Sequence, residues 1–157
     1  MDYFIYQNEI APLYVCASTA GLVNLTFNKN AMHTDYVFNI ENVHIAQTIV
    51  WLDAYFNKKI DKNGHVKAML PNFDIKHNTM LDAINSVKFG NTAYYGEIIT
   101  PKYAQAIGNA CRNNPILIMI PCHRIISRNN KNIYQYMSDM HSNIKKRLFV
   151  FEDINIT

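Results

Sequence analysis

The sequence predicts an α/β protein in two parts: a small antiparallel sheet with one helix, then a helical domain that contains a helix-turn-helix. Three observations predict this fold. Short segments rich in Tyr, Phe, Ile and Val fill residues 2–27, apolar residues recur at helical spacing over 41–57, and the second half places short helical segments before one continuous apolar run. With 157 residues, 49% of them apolar, the chain can form one globular body or two small domains.

The first part is predicted from strand composition followed by helical periodicity. Residues 2–7, 12–19 and 22–27 have the composition of strands, and Ala20–Gly21 marks a tight turn, so we expect an antiparallel meander. Residues 41–57 predict a helix whose inward face holds Ile45, Ile49, Leu52 and Phe56. We place the domain boundary within 71–74, giving domains 1–73 and 74–157.

The second part is predicted to be helical. Residues 74–87 predict a helix with Met80, Leu81 and Ile84 inward. Residues 92–99 and 103–112 predict two short helices separated at Thr100–Pro101, as in a helix-turn-helix, although an ordinary helical hairpin would have the same pattern. Residues 143–151 predict a final helix. For the helix over 103–112, the residues expected to face inward are Ala104, Ile107 and Cys111, and those expected to face outward are Lys102, Gln105, Asn109 and Arg112. For the final helix, the expected inward residues are Ile144, Leu148 and Phe151, and the expected outward residues are Lys145, Lys146 and Arg147.

Charge and cysteine usage restrict the possible functions. Residues 1–75 carry five Lys or Arg against seven Asp or Glu, and residues 76–157 carry ten against five, so the basic half is the expected phosphate-binding half. Cys16, Cys111 and Cys122 are too few and too widely spaced for a disulfide framework or a metal clip. We therefore expect no metal and no cofactor, and a cytoplasmic protein without a membrane segment.

Residues 113–126 carry the chemistry of the chain. The apolar run Ile116–Ile120 predicts a fully buried short strand or core segment, and Pro121, Cys122, His123 and Arg124 follow it directly. A thiol held between two buried segments has a fixed position, and a neighbouring His and Arg favour the reactive thiolate. A lone buried Cys is more often only a small apolar residue, but this flanking sequence points to a nucleophile.

This stretch resembles the active-site signature of the O6-alkylguanine-DNA alkyltransferases, also called methylated-DNA–protein-cysteine methyltransferases. The resemblance extends over residues 74–154 and includes Lys88-Phe89-Gly90, Tyr94-Tyr95-Gly96, the helix segment 105–110, Asn114-Pro115, and Lys145 with Leu148 and Glu152. It implies a ribonuclease-H-like first domain and a winged-helix-like second domain. The implied activity is DNA repair by a suicide methyltransferase, in which one alkyl group passes irreversibly from O6-alkylguanine to a cysteine.

The resemblance also implies roles for individual residues. Cys122 would accept the alkyl group, His123 would act as its base through a bridging water, Glu152 would orient His123, and Asn114 would brace the turn before the cysteine. His123 and Cys122 would point apart because they are expected in an extended segment. The implied partner is double-stranded DNA, bound by a monomer through the minor groove with base flipping. The implied DNA-binding residues are Tyr95, Lys102, Gln105, Ala106, Gly108 and Arg112, and the implied pocket residues are Tyr95, Ile125, Tyr136 and Met137.

Three features depart from the family pattern. Gln105 stands where the family has an arginine that fills the gap left by the flipped base, the connection between the two helices is short, and the pocket loop is rich in Asn, including Asn129, Asn130 and Asn132, instead of Gly.

Two alternative functions stay open: an alkyltransferase-like protein that only binds lesions and recruits other repair factors, and a transcription regulator with a vestigial alkyltransferase fold. The lesion-binding relatives lack the acceptor cysteine, so Cys122 argues against the first.

Overall fold

The computed structural model describes residues 1–128, 134 and 139–156, with only the backbone described at 139 and 140. The chain divides into two compact units, Met1–Lys76 and His77–Thr157. Unit 1 holds a four-stranded sheet, one long helix and a short 3-10 helix, and unit 2 holds the other described helices and a two-stranded sheet. This arrangement matches the predicted α/β class. Within the described residues, no helix combines the length and the apolar character needed to cross a membrane.

Unit 1 is built on a four-stranded sheet in the order β3-β2-β1-β4. The strands are β1 (Asp2–Tyr6), β2 (Leu13–Ala17), β3 (Leu22–Thr26) and β4 (Val37–Phe38), and a 3-10 helix, Lys29–Ala31, lies between β3 and β4. The predicted antiparallel meander over β1, β2 and β3 is confirmed. Strand β4 was not predicted; it pairs with β1 in parallel and forms an edge of the sheet.

Helix α1 (Val43–Phe56) covers one face of this sheet, as its periodicity predicted. Asn42 caps its first turn by accepting from the N–H groups of His44 and Ile45. Ile45 and Leu52 are fully buried, whereas Ile49 and Phe56 are half-buried at the margin of the contact. Tyr6 on β1 points toward this helix, because its hydroxyl donates to Asp53 at 2.7 Å.

Unit 2 contains less helix than the sequence predicted. Its elements are α2 (Thr79–Ile84), β5 (Ala93–Tyr94), a 3-10 helix Pro101–Tyr103, α3 (Ala104–Arg112), a 3-10 helix Cys122–Arg124, β6 (Ile125–Ile126) and α4 (Asp139–Phe151). Helix α2 starts at Thr79 and not at residue 74, because Asn78 caps it by accepting from the N–H of Met80. Leu81 and Ile84 are buried as predicted.

The predicted helix over 92–99 is wrong. Ala93 and Tyr94 form β5, which pairs in parallel with Ile125 and Ile126 of β6, and residues 95–97 form a turn. Pairing with a strand some 30 residues away in sequence overrides the local pattern. The two helices that pack together are α2 and α3, so the helical pair of unit 2 is not the pair read from residues 92–112.

Candidate active site

Residues 113–126 connect α3 to β6. Helix α3 ends at Arg112, and beyond Asn114 the run Ile116–Ile120 is buried throughout, as predicted. It is a turn and not a strand, however. Ile118 has φ +69°, a left-handed conformation that β-branched residues rarely adopt, and the N–H of the last residue of the run donates to the carbonyl of the first at 3.1 Å. Tight packing on all sides therefore holds this strained turn.

Cys122 begins the 3-10 helix that follows Pro121. Its N–H donates to the Ile120 carbonyl at 2.8 Å, and the N–H of Arg124 donates to the Pro121 carbonyl at 2.9 Å. The extended conformation expected for this segment is wrong. A 3-10 turn rotates successive side chains by about 120°, so the side chains of Cys122 and His123 diverge around a helix axis instead of alternating. The Cys122 side chain is fully buried.

Asn114 connects the end of α3 to the cysteine. Its Nδ2 donates to the Ile120 carbonyl at 2.8 Å and to Cys122 Sγ at 3.0 Å. Its Oδ1 accepts from the N–H of Ile116 at 2.9 Å. Asn114 is itself buried, so these bonds form without competition from bulk water. The amide thus fixes both ends of the Ile116–Ile120 turn and places a donor on the sulfur, where it favours a developing negative charge.

Glu152, directly after α4, accepts hydrogen bonds from three residues. Its Oε1 lies 2.8 Å from His123 Nε2, and its two oxygens lie 2.9 Å and 3.0 Å from Nε and one terminal nitrogen of Arg124. The Gly90 N–H also donates to Oε2 at 3.2 Å. A further Arg124 nitrogen donates to the Val87 carbonyl at 2.7 Å. Arg124 therefore forms a two-pronged, buried ion pair with the same carboxylate that faces His123.

The electrostatics of this group favour a neutral His123 beside an ionised Glu152. Burial lowers the pKa of His123, and although Glu152 opposes that effect, Arg124 and Lys145 add to it. Burial alone would raise the pKa of Glu152, but His123 and Arg124 together hold it well below its usual range. A carboxylate can only accept, so Nε2 of His123 carries the proton. Its Nδ1 is then an acceptor, and it has no hydrogen-bond partner among the described residues.

Lys145 is the residue of this site that the sequence prediction misplaced. It was expected to be exposed on α4, but it is 1% exposed and its Nζ donates to the Ile125 carbonyl at 2.8 Å. Burial lowers the pKa of Lys145 to about 8. The signal was present in the sequence, because Lys145, Leu148 and Glu152 recur at i, i+3 and i+7, the spacing of one helix face.

The outer face of α3 has the distribution predicted for it. Gln105, Asn109 and Arg112 are exposed, as is Lys102 in the 3-10 helix before it, and Ile107 and Cys111 are buried. Ala106 and Gly108 are half-buried. The ring of Tyr95 lies beside Gly108, because a Cβ built on that glycine would be 3.9 Å from the ring. Burial raises the pKa of Tyr95, so its hydroxyl stays protonated and can donate.

The structure brings together only some of the expected residues. Asn114 donates to Cys122, and Glu152 accepts from both His123 and Arg124. These two hydrogen-bonded sets meet because Cys122, His123 and Arg124 are consecutive in one 3-10 helix, and Ile125, which follows them directly, accepts from Lys145. Lys102, Gln105 and Arg112 lie apart from that group, on an exposed surface. Tyr136 and Met137, expected to wall the pocket, lie outside the described residues, as do Asn129, Asn130 and Asn132.

A buried thiol that accepts a hydrogen bond, with a neutral histidine and an ionised carboxylate behind it, is the arrangement of an activated nucleophile. Two sequence profiles match the chain: the DNA-binding domain of 6-O-methylguanine DNA methyltransferase over residues 76–154, and the ribonuclease-like domain of the same protein over residues 1–63. The chain belongs to the 6-O-methylguanine DNA methyltransferase family.

Individual relatives agree with this assignment. The methylated-DNA–protein-cysteine methyltransferase of Methanosarcina mazei is 32% identical over an alignment of 164 positions, which covers 99% of each chain. The protein of the same name from Methanosarcina acetivorans is 32% identical over 139 residues, covering 83% of this chain and 86% of the relative. A crystal structure of the Mycobacterium tuberculosis family member in complex with DNA has a TM-score of 0.74 at 26% identity, covering 97% of this chain and 92% of that one.

Proposed function

We propose that this chain repairs DNA by transferring one alkyl group from O6-alkylguanine to Cys122, in a single irreversible turnover. The observation that carries the proposal is the pair of buried hydrogen bonds on the neighbouring residues Cys122 and His123: Asn114 donates to Cys122 Sγ, and Glu152 accepts from His123 Nε2. The relatives named methylated-DNA–protein-cysteine methyltransferases support the same reaction. The transfer is stoichiometric because the product, an S-alkyl cysteine, is a thioether with no easy leaving step.

The proposed reaction moves one proton from sulfur to nitrogen, forms one sulfur–carbon bond and breaks one carbon–oxygen bond. The thiol proton of Cys122 passes through a bridging water to Nδ1 of His123, and Glu152 stabilises the imidazolium that forms. The thiolate attacks the alkyl carbon, a sulfur–carbon bond forms, and the carbon–oxygen bond breaks with its electron pair going to guanine, whose negative charge is neutralised by a proton from solvent. Arg124 keeps Glu152 ionised, so the carboxylate is ready to balance the positive charge on His123.

We infer that the DNA partner binds as a duplex through α3 in the minor groove. Gln105, Lys102 and Arg112 are exposed on this part of unit 2, and the half-buried Ala106 and Gly108 let a helix approach the groove closely. The reactive guanine must leave the stack to reach a buried sulfur. Tyr95, close to α3, would donate its hydroxyl to the base or press on the flanking phosphate, and backbone groups of Cys122 and Ile125 would read the guanine edge.

The test of this function is intact-mass analysis after mixing the protein with a duplex that contains O6-methylguanine. We expect one methyl group per chain, located on Cys122 by peptide mapping, and no further gain with excess DNA. Cys122→Ser should abolish transfer and keep DNA binding. Cys16→Ser and Cys111→Ser are the matched controls, because burial raises the pKa of both thiols, to about 11 for Cys16, and neither should act as a nucleophile.

Three results would contradict the proposal: several turnovers per chain, methyl groups on Cys16 or Cys111, or lesion binding without any transfer. The last result would indicate the lesion-binding function instead. DNA affinity should also fall steeply as salt rises, because phosphate contacts release counterions. Lys102→Ala and Arg112→Ala should each weaken binding to modified and unmodified duplexes equally.

A further inference from the structure

The sheet of unit 1 has a cavity on the face opposite α1. It is a shallow depression, largely open to solvent, with a volume of about 610 Å³. Tyr3 and Ile5 of β1 and Tyr14 of β2 line it, and the register places Ile5 directly opposite Tyr14. Tyr6, the next residue along β1, points to α1, so Tyr3 and Ile5 must point to the other face. The remaining lining residues follow β3 and are Lys29, Asn30, Met32, His33, Thr34 and Tyr36.

The lining of this cavity is rich in hydrogen-bond donors and contains no carboxylate. Asp35 lies in the same segment but outside the lining. The hydroxyls of Tyr3, Tyr14 and Tyr36 have no hydrogen-bond partner in the described part of the chain, and the Lys29 ammonium has no ion-pair partner there. Burial, with smaller effects from Cys16 and Asp35, raises the pKa of Tyr36, so its hydroxyl remains a donor. A set of free donors around one cation is complementary to an anion such as a phosphate.

Aromatic rings at the same cavity provide surfaces on which a base could stack. His33 and Tyr36 have ring centroids 5.2 Å apart at an interplanar angle of 44°. Tyr3 packs edge-to-face on Phe38 with centroids 5.8 Å apart, so its ring is held at the cavity wall. Rings arranged in this way can stack on a planar base, and this is how proteins bind single nucleotides without reading sequence.

We propose that this cavity binds a nucleotide, with the base stacked on the tyrosine rings and the phosphate bound by Lys29 and the surrounding hydroxyls. This function goes beyond alkyl transfer, because every lining residue belongs to unit 1 and none belongs to the group around Cys122. The ligand can be a free mononucleotide or one nucleotide of single-stranded DNA, since both present a base and a phosphate.

The experiment is an NMR titration of the ¹⁵N-labelled full chain with thymidine monophosphate, thymidine and inorganic phosphate. We expect thymidine monophosphate to shift the amide signals of residues 29–36, and each of the other two probes to bind at least tenfold more weakly, because each lacks half of the ligand. A single-stranded oligothymidylate is the fourth probe. If the oligomer shifts the same amide signals and binds more tightly than thymidine monophosphate, the ligand is single-stranded DNA. If it binds equally or more weakly, the ligand is the free mononucleotide.

Two variants and a control make the test specific. Lys29→Ala should weaken binding of thymidine monophosphate at least tenfold, and Tyr14→Phe, which keeps the ring and removes the hydroxyl, should weaken it severalfold. Lys62→Ala, which removes an exposed lysine of unit 1 outside the cavity, should leave it unchanged. All three variants should transfer alkyl groups from benzylguanine to Cys122 at the wild-type rate, so this site and the alkyl-transfer function succeed or fail separately.

The proposal is wrong if thymidine monophosphate leaves the signals of residues 29–36 unshifted. It is equally wrong if Lys29→Ala and Lys62→Ala weaken binding by the same factor. Inorganic phosphate binding as tightly as thymidine monophosphate would show that the rings do not recognise a base, and that result would also overturn it.

Discussion

Replacing Glu152 with Gln tests whether one buried carboxylate holds the catalytic group together. Glu152 is 2% exposed and accepts from His123, from two nitrogens of Arg124 and from the Gly90 N–H. An amide has one acceptor oxygen and one NH₂ group, so it can accept from His123 or from Arg124 but must turn a donor toward the other. The variant therefore leaves a buried guanidinium without its counter-charge.

The expected loss of stability is about 3–5 kcal/mol, the usual cost of removing one partner of a buried ion pair. In a chain of this size, that lowers Tm by roughly 6–20 °C. Alkyl transfer should slow by roughly 10²–10⁴-fold, because His123 loses the group that fixes its tautomer and stabilises its charged form. Urea unfolding followed by circular dichroism measures the first effect, and single-turnover transfer from benzylguanine measures the second.

The chain offers a matched control for this variant. Glu97 pairs with Arg128, but the side chains are 48% and 64% exposed, so Glu97→Gln should cost no more than about 1 kcal/mol. Adding Arg124→Met to Glu152→Gln should recover part of the lost stability, because the unpaired charge is gone, without recovering transfer. The reasoning is refuted if Glu152→Gln costs as little as Glu97→Gln, or if the double variant is no more stable than Glu152→Gln alone.

Three further predictions concern single residues. Asn114→Ala should cost about 2–4 kcal/mol in urea unfolding, because it leaves the Ile116 N–H buried without a partner and removes one of the two donors to the Ile120 carbonyl. A loss under about 1 kcal/mol would contradict this. The pKa of Lys145 is about 8 in the folded chain and about 10.4 in the unfolded chain, so between these pH values the unfolded chain binds more protons. The free energy of unfolding should therefore rise with pH across that window. Lys145→Met should lack this rise when unfolding by urea is measured at each pH. Gln105→Arg should speed transfer from duplex DNA roughly tenfold to thirtyfold, because it recovers about 1–2 kcal/mol of the cost of flipping the base. The rate with free benzylguanine, which needs no flipping, should stay unchanged. Equal acceleration with both substrates would show that residue 105 acts on the substrate pocket instead.

The sequence was most informative where local chemistry decides the structure. Strands β1, β2 and β3 and the helix over residues 43–56 follow from composition and periodicity, because each buries one face against a single neighbouring layer. The nucleophile segment could be recognised because a thiol, a base and a cation follow a buried run within four residues. Chemistry of this kind is encoded by neighbours in sequence, so no tertiary information was needed to propose Cys122 as the nucleophile.

Tertiary structure decided the features that depend on distant residues. Residues 92–99 have a helix-like pattern, but Ala93 and Tyr94 form β5 because residues 125 and 126 supply the partner strand, and a turn follows. Lys145 shares a helix face with Leu148 and Glu152 in the sequence, but its charge favours the surface, and the structure decides for burial by packing α4 against the 3-10 helix Cys122–Arg124 and supplying the Ile125 carbonyl as its acceptor. Likewise, the resemblance implied that Glu152 orients His123, but nothing in the sequence indicates that Arg124 binds the same carboxylate, because the ion pair forms only when residues 28 positions apart meet in the core. Local propensities are worth fractions of a kcal/mol per residue, whereas buried ion pairs and strand pairing involve several, so the tertiary contacts prevail where the two disagree.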